Sequence, residues 1–193
     1  MSEPTDPEFP QRPARVRKVI KPKPVTRAYL KLVSAAYLAQ RAASRSMLQQ
    51  VLKRRSLRRS QVKVLDVETL ALIAAMLDEL TTLGLLDDNR YAVGRIATLQ
   101  RKGLPARRIA MGLQQKGVGR EAIAMAMAEP IDELVQARRF AERKRLGPWR
   151  SGLSRADAAS RDEKDLRALM RAGFNFRVAK AALTDKGDGD GDV

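Results

Sequence analysis

Two adjacent carboxylates, Asp87 and Asp88, form the conspicuous acidic pair in the central part of the chain. Paired carboxylates divide acid and base roles in hydrolytic sites, but side chains adjacent in sequence rarely face one reaction centre. Asp at the start of a helix also accepts hydrogen bonds from backbone N–H groups that lack a partner within the helix. We therefore predict a capping role for this pair, with Asn89 and Arg90 extending the same first turn.

The chain contains neither His nor Cys. This absence removes zinc fingers, thiol nucleophiles, iron-sulfur clusters and every Ser-His-acid arrangement. The Asp-rich segment 185–193 alternates Asp and Gly, but a calcium loop needs 12 residues and a closing Glu, which this segment does not supply. We predict no catalytic residues, no metal and no cofactor, and therefore a protein that is not an enzyme.

The formal net charge is +16. A field of this size attracts phosphate backbones, acidic proteins and anionic membranes, although spare arginines on a solvated surface give the same charge. We predict a polyanionic partner, which the charge by itself does not identify.

The cations form clusters that are candidates for binding this partner. The first cluster is predicted on one exposed helix face, where guanidinium groups suit both phosphates and carboxylates; it consists of Arg54, Arg55, Arg58 and Arg59. The second surrounds a turn at Gly103 to Pro105 and consists of Arg101, Lys102, Arg107 and Arg108. A third is predicted to be weaker because Glu133 and Glu142 lie on the same helix; it consists of Arg138, Arg139, Arg143, Lys144 and Arg145.

The aromatic residues give little support to a protein that binds single strands by stacking, because such proteins expose several rings along a basic groove. Tyr29, Tyr37, Tyr91 and Phe140 fall on apolar stripes and are predicted to be core residues. Trp149 follows Gly-Pro in a loop, where it covers a seam between helices or presents its ring to a partner.

The elements that position these residues are predicted to be helices. Aromatic residues make up only 4% of the chain, and helix-favouring residues fill long stretches with few β-branched runs. Apolar residues recur at spacings of three and four. One helix, for example, is predicted to start at an Asp66 cap, to bury Leu70, Ile73, Leu77 and Leu80, and to stop at Gly84. The fold class is therefore all-α.

The helices are predicted to form three tandem three-helix units. Val118 and Phe174 each follow a glycine that ends a helix, and the apolar positions after the two glycines match in spacing. Units this small bury their apolar stripes by stacking, which predicts an elongated, curved array. The predicted organisation is a disordered Pro-rich basic arm (1–26), three units (27–85, 86–129 and 130–184) and a disordered acidic tail (185–193).

The chain shows no apolar stretch long enough to span a bilayer, and its first residues lack the apolar core of a secretion signal. Without cysteines it has no disulfide framework. We predict a soluble protein of the cytoplasm that does not engage membranes.

Four segments resemble the RecX family in sequence and order. The most characteristic is LLDDNRYA at 85–92, followed by Arg95 and by Arg101, Lys102 and Gly103. The flanking segments are YLAQRAASRSML at 37–48, IAMGLQQKGV at 109–118 and LRALMRAGF at 166–174. The resemblance covers about residues 28 to 184 and departs from the family at 53–63, where the family often has a short Gly-containing turn.

The resemblance implies a modulator that binds the RecA recombinase, usually as the filament on single-stranded DNA, and suppresses strand exchange and ATP hydrolysis. It implies no catalysis by the chain itself. On this basis we predict a monomeric, filament-binding regulator that contacts RecA and, within the filament, single-stranded DNA. Arg95 joins the two stronger basic clusters in the predicted binding set. The alternative is a helix-turn-helix DNA-binding protein, because short helix pairs joined by Gly-containing turns resemble that motif.

Overall fold

A computed structural model describes residues 21–150 and 155–184, with side chains described in 21–150 and 161–184. Residues 1–20 of the predicted arm and the whole predicted acidic tail lie outside the described residues. The described part consists of nine α-helices and a 3-10 turn, with no strand. The predicted all-α class is confirmed for this part of the chain.

The helices run in the order α1 (Arg27–Leu38), α2 (Arg45–Ser60), α3 (Val67–Thr82), α4 (Asp88–Arg101), α5 (Ala106–Gln115), α6 (Arg120–Ala126), α7 (Glu133–Lys144), α8 (Arg155–Ala172) and α9 (Phe176–Thr184). The 3-10 turn, Gly147–Trp149, lies between α7 and α8. The closest helix packing occurs within consecutive groups of three helices. We call α1–α3 triplet 1, α4–α6 triplet 2 and α7–α9 triplet 3.

Each triplet encloses its own hydrophobic core. In triplet 1 the core residues are Leu30, Leu48, Leu52, Ile73, Met76, Leu77, Leu80 and Leu86. In triplet 2 they are Ala92, Ile96, Leu99, Ile109, Leu113, Val118 and Ile123. In triplet 3 they are Ala137, Leu169, Phe174, Ala179 and Ala182. Complete burial of one leucine side chain stabilises a fold by about 1.5–3 kcal/mol, so triplet 1 has the largest apolar contribution among the side chains that the structure describes.

The predicted stripe of α3 needs one correction. Leu70, which lies in the first turn of the helix, is 38% exposed, whereas Met76 is 2% exposed. Ile73, Met76, Leu77 and Leu80 form the buried side of α3, with the spacing of one helix face. The stripe therefore begins one turn later than predicted.

Hydrogen bonds confirm the predicted helix starts at Asp66 and Asp87, and they show that Ser44 caps α2. Ser44 accepts a bond from the N–H of Met47 at 3.2 Å, and Asp66 from that of Thr69 at 2.6 Å. Asp87 accepts one from the N–H of Arg90 at 2.9 Å. The capping prediction for Asp87 is correct, because an N-cap acceptor satisfies an N–H that the helix cannot.

The predicted helix stops at Gly117 and Gly173 are also confirmed. Val118 donates its N–H to Leu113 and Phe174 donates to Leu169, both at 3.2 Å. Both side chains are buried in the core of their triplet, in the same cluster as a leucine of the helix that has just ended. This bond, together with the apolar contact, is the Schellman arrangement, which satisfies carbonyl groups at the helix end.

Asp88 has a different partner from the one predicted. Its carboxylate accepts a hydrogen bond of 2.8 Å from the N–H of Arg45, the first residue of α2 in triplet 1. Glu133, the first residue of α7, accepts an equivalent bond of 2.8 Å from the N–H of Ala106, the first residue of α5. In both cases the first acidic residue of one triplet caps the second helix of the triplet before it.

We call this contact between consecutive triplets the joint. Two glycines also contribute to it. A Cβ placed on Gly117 would lie 2.2 Å from the Ser46 Oγ atom, so the α5–α6 turn packs directly on the start of α2. A Cβ on Gly173 would lie 3.3 Å from the side chain of Pro105 and 3.2 Å from that of Arg108. The α8–α9 turn therefore packs on the start of α5 in the same way. The same joint therefore connects triplet 1 to triplet 2 and triplet 2 to triplet 3.

Triplet 1 ends α2 differently. Gln61 holds the left-handed position at the end of α2, with φ of 56°, which is the position that glycines hold after α5 and α8.

Arg27, the first residue of α1, donates to Glu79 of the same triplet at 2.8 Å. This hydrogen bond lowers the pKa of Glu79.

Removal of one capping carboxylate should weaken one joint. We expect Asp88→Ala to destabilise the protein by about 1 kcal/mol, the usual effect of losing a cap, and to raise the hydrogen-exchange rate of the Arg45 amide. Asp87→Ala is the matched control, since it should raise exchange at Arg90 within its own helix. If Asp88→Ala left the Arg45 amide as protected as in the wild type, the carboxylate would not form the joint.

Candidate basic surfaces for a polyanionic partner

The first basic cluster lies on the outer side of α2. Leu48, Leu52 and Ser56 form the buried side of this helix. Arg54, Arg55 and Arg58 are exposed on the rest of the helix surface. We call these three exposed arginines the α2 surface.

The fourth residue of that cluster, Arg59, is used inside the protein. Its guanidinium carbon lies 4.1 Å from the centre of the Tyr29 ring, and its Nε donates to the Pro24 carbonyl at 2.7 Å. The Lys23 N–H donates to the Arg59 carbonyl at 2.9 Å. Arg59 thus holds the segment before α1 against the end of α2, and we leave it out of the α2 surface.

The second cluster does not form one patch. Arg101 and Lys102 are exposed at the end of α4, and Arg107 is exposed on α5. Arg95 and Arg108 instead line a cavity of about 430 Å³ between triplets 2 and 3. The structure therefore divides the predicted cluster, because Arg101, Lys102 and Arg107 do not line the cavity, whereas Arg108 lines it together with Arg95.

We call the cavity the inter-triplet groove. Arg171 of α8 joins Arg95 and Arg108 in lining it, and Leu99, Leu104 and Phe140 contribute apolar surface. Among the described residues, no carboxylate forms an ion pair with any of the three arginines. The groove combines positive charge with apolar surface, which suits an anionic partner that carries apolar groups.

Arg108 also has a structural task in the groove. Its Nε donates to the Ala172 carbonyl at 3.2 Å, and its Nη2 donates to the Arg171 carbonyl at 3.1 Å. A cation at these carbonyl groups stabilises the C-terminal end of α8. Substitution of Arg108 would therefore disturb the joint between triplets 2 and 3 as well as any bound partner.

All four aromatic residues predicted to be in the core lie partly buried there. Tyr29 and Tyr37 pack on the core of triplet 1, Tyr91 on that of triplet 2 and Phe140 on that of triplet 3. Burial raises the pKa of Tyr91 above its ordinary value. Trp149 is half-buried in the 3-10 turn.

Sequence reasoning missed two features of the surface. Arg171 lines the inter-triplet groove, although it lies in none of the predicted clusters. Phe176 is 55% exposed at the start of α9 and has cations around it. The helical spacing of Phe176, Lys180 and Thr184 was the signal that could have shown this second surface.

The described residues include no cluster of three side chains suited to hold a metal ion. No helix in the described ranges is long and apolar enough to cross a bilayer. Three-helix domains in tandem, each with its own core and joined at equivalent residues, define a basic all-helical repeat protein.

The comparisons identify the family. The family model described as "RecX, second three-helix domain" matches residues 87–127. A regulatory protein RecX from Myxococcus xanthus is 36% identical over 170 residues, covering 84% of this chain and 88% of the relative. Another, from Agrobacterium fabrum, is 36% identical over 99 residues, covering 51% of each chain. The chain therefore belongs to the RecX family, as the sequence resemblance predicted.

A solved structure has the same fold. The crystal structure of a regulatory protein RecX superimposes with a TM-score of 0.58 at 21% identity, covering 82% of this chain and 72% of the other. At this identity the match establishes the fold alone. It agrees with the all-helical architecture of the described residues.

Proposed function

We propose that this protein binds the RecA nucleoprotein filament and inhibits its recombinase and ATPase activities, which modulates DNA repair and recombination. In this role it acts in the cytoplasm as a monomer and carries out no catalysis itself. It contacts the recombinase and the single-stranded DNA within the filament. Membership of the RecX family supports the proposal.

The observation that carries the proposal is the repeated joint between triplets. Asp88 on the Arg45 N–H and Glu133 on the Ala106 N–H place three triplets one after another by one rule. Within the described residues, these hydrogen bonds connect triplet 1 to triplet 2 and triplet 2 to triplet 3. Repeat proteins built in this way present long surfaces, and a filament of identical protomers is a partner of matching form.

The distribution of charge supports an anionic target. The α2 surface lies in triplet 1, and the inter-triplet groove lies between triplets 2 and 3. Basic groups are thus spread along the array and do not converge on one pocket. Such an arrangement suits binding at several points along a polyanion, where each point of attachment adds to the affinity and to its salt dependence.

The direct test titrates the protein into the cognate recombinase assembled on single-stranded DNA and measures ATP hydrolysis. We expect hydrolysis to fall in low salt and the inhibition to weaken as salt is added, because screening reduces the attraction. A fall at substoichiometric amounts would indicate filament capping or blocked growth. A fall near saturation would indicate coating of the filament groove.

An unchanged rate of ATP hydrolysis at saturating protein in low salt would contradict the proposal. The helix-turn-helix alternative predicts a different result, namely protected half-sites on duplex DNA of particular sequence. A footprinting experiment on duplex DNA without recombinase therefore separates the two functions.

A further inference from the structure

One face of α9 carries an exposed aromatic ring, that of Phe176. Phe176 is 55% exposed, and every other aromatic side chain among the described residues is buried or half-buried. Lys180 and Thr184 follow at four-residue intervals, one helical turn or about 6 Å apart. We call the surface formed by Phe176, Arg177, Lys180, Ala181, Thr184 and Arg138 the α9 face.

The α9 face is positively charged and only shallowly recessed. Its six residues line a cavity of about 560 Å³ between α7 and α9, and none of them is acidic. Arg177 and Lys180 are exposed, and Arg138 is half-buried on α7. The small side chain of Ala181 leaves space beside the ring. The face thus offers one aromatic surface with cations around it.

The core of triplet 3 does not need Phe176. Ala179 and Ala182 form the buried side of α9, and Phe174 fills the adjacent space. The Phe174 ring meets the Phe140 ring edge to face, with centroids 6.0 Å apart. Exposing an apolar ring such as Phe176 forgoes the stabilisation that its burial would give. The exposed ring, with cations beside it, is therefore available to a partner.

We infer that the α9 face binds single-stranded nucleic acid, with one base stacked on Phe176 and neighbouring phosphates bound by Arg177 and Lys180. Exposed rings beside cations bind unpaired bases because every base presents a flat surface to the ring. Duplex DNA keeps its bases stacked on one another and offers the ring no such surface. An acidic peptide would satisfy the cations without using the ring.

The inference deepens the proposed function and rests on it, since the strand is then the DNA inside the filament. Binding to a free strand does not depend on recombinase, however, so it can be tested separately. This face would add a binding point in triplet 3 to the basic surfaces of the other triplets.

The test measures the affinity of the full chain for a fluorescently labelled oligothymidylate by anisotropy in low salt. We expect Phe176→Ala to weaken binding about tenfold, the typical effect of losing one stacked base, without changing the salt dependence. Phe176→Tyr should retain the affinity. Val135→Ala, which removes a 37% exposed apolar side chain from α7, is the matched control and should have no effect.

The cations should give the complementary result. Arg177→Gln combined with Lys180→Gln should lower the slope of log affinity against log salt by about 1.4, or about 0.7 for each phosphate that the variant no longer neutralises. Circular dichroism would establish that both variants keep the helix content of the wild type.

Two outcomes would overturn the inference. The first is wild-type protein that inhibits recombinase ATPase yet does not bind the oligonucleotide, which would leave the proposed function intact. The second is a Phe176→Ala variant that binds the oligonucleotide normally but loses inhibition, which would make the α9 face a site for protein. Oligonucleotide binding without inhibition would instead refute the proposed function while this site remained.

Discussion

A Gly103→Ala variant is expected to lose more than about 3 kcal/mol of unfolding free energy, a loss that is large for one methyl group. A Cβ at this position would lie 2.4 Å from the backbone nitrogen of Phe140 and 2.8 Å from the carbonyl oxygen of Gln136. Both atoms belong to the backbone of α7, so no side-chain rotation relieves the overlap. The turn between α4 and α5 would have to move away from triplet 3.

Gly84→Ala is the matched control for this prediction. Its φ of 68° is close to the 66° of Gly103, yet nothing lies within 4 Å of the Cβ position. The unfolding free energy of this variant should therefore fall by only about 1–2 kcal/mol, which is the penalty for a residue with a Cβ in the left-handed conformation. Chemical denaturation followed by circular dichroism would measure both losses. Equal losses for the two variants would show that the α4–α5 turn does not press on α7.

Replacing the three arginines of the α2 surface by glutamine should weaken filament binding roughly a hundredfold in low salt. Arg54, Arg55 and Arg58 are exposed and form no ion pair within the described residues, so their removal should leave stability nearly unchanged. Charge-assisted hydrogen bonds to an anionic partner contribute about 1 kcal/mol or more each. The salt dependence of binding should become shallower for the same reason.

A control for total charge is available on α7. Arg139, Arg143 and Lys144 are also exposed, and replacing them by glutamine removes the same charge from triplet 3. We expect this second variant to bind the filament nearly as well as the wild type. If the two variants lost equal affinity, net charge and not the α2 surface would control binding.

Arg59→Gln should lower stability, because it removes the interactions with Tyr29 and Pro24.

Local features of the fold were predictable from sequence. The helix starts at Asp66 and Asp87 and the stops at Gly117 and Gly173 depend on bonds within a few residues, which local residue types determine. The joint was not predictable, because Asp88 reaches a residue 43 positions away and Glu133 reaches one 27 positions away. An acidic residue at a helix start looks the same whether it caps its own helix or a neighbour.

The candidate surfaces were partly predictable for the same reason. Spacing within one helix placed Arg54, Arg55 and Arg58 together, as observed. Sequence could not show that Arg59 packs on a ring or that Arg108 binds carbonyl groups at the end of α8. Those uses depend on where another helix ends. Phe176 was missed because an aromatic residue close to Phe174 resembles a second core position.

Triplet 1 lacks the residues with which triplets 2 and 3 form the joint to the triplet before them. A triplet that follows another presents a carboxylate at its first helix and a glycine after its second, whereas triplet 1 has Arg27 and Gln61 at these positions. A second copy offering its last triplet here would meet a cationic side chain and a Cβ where the backbone must come close. Head-to-tail growth of copies into fibres through this joint is therefore disfavoured. The same two positions mark where an engineer would need Asp or Glu, and Gly, to lengthen the array.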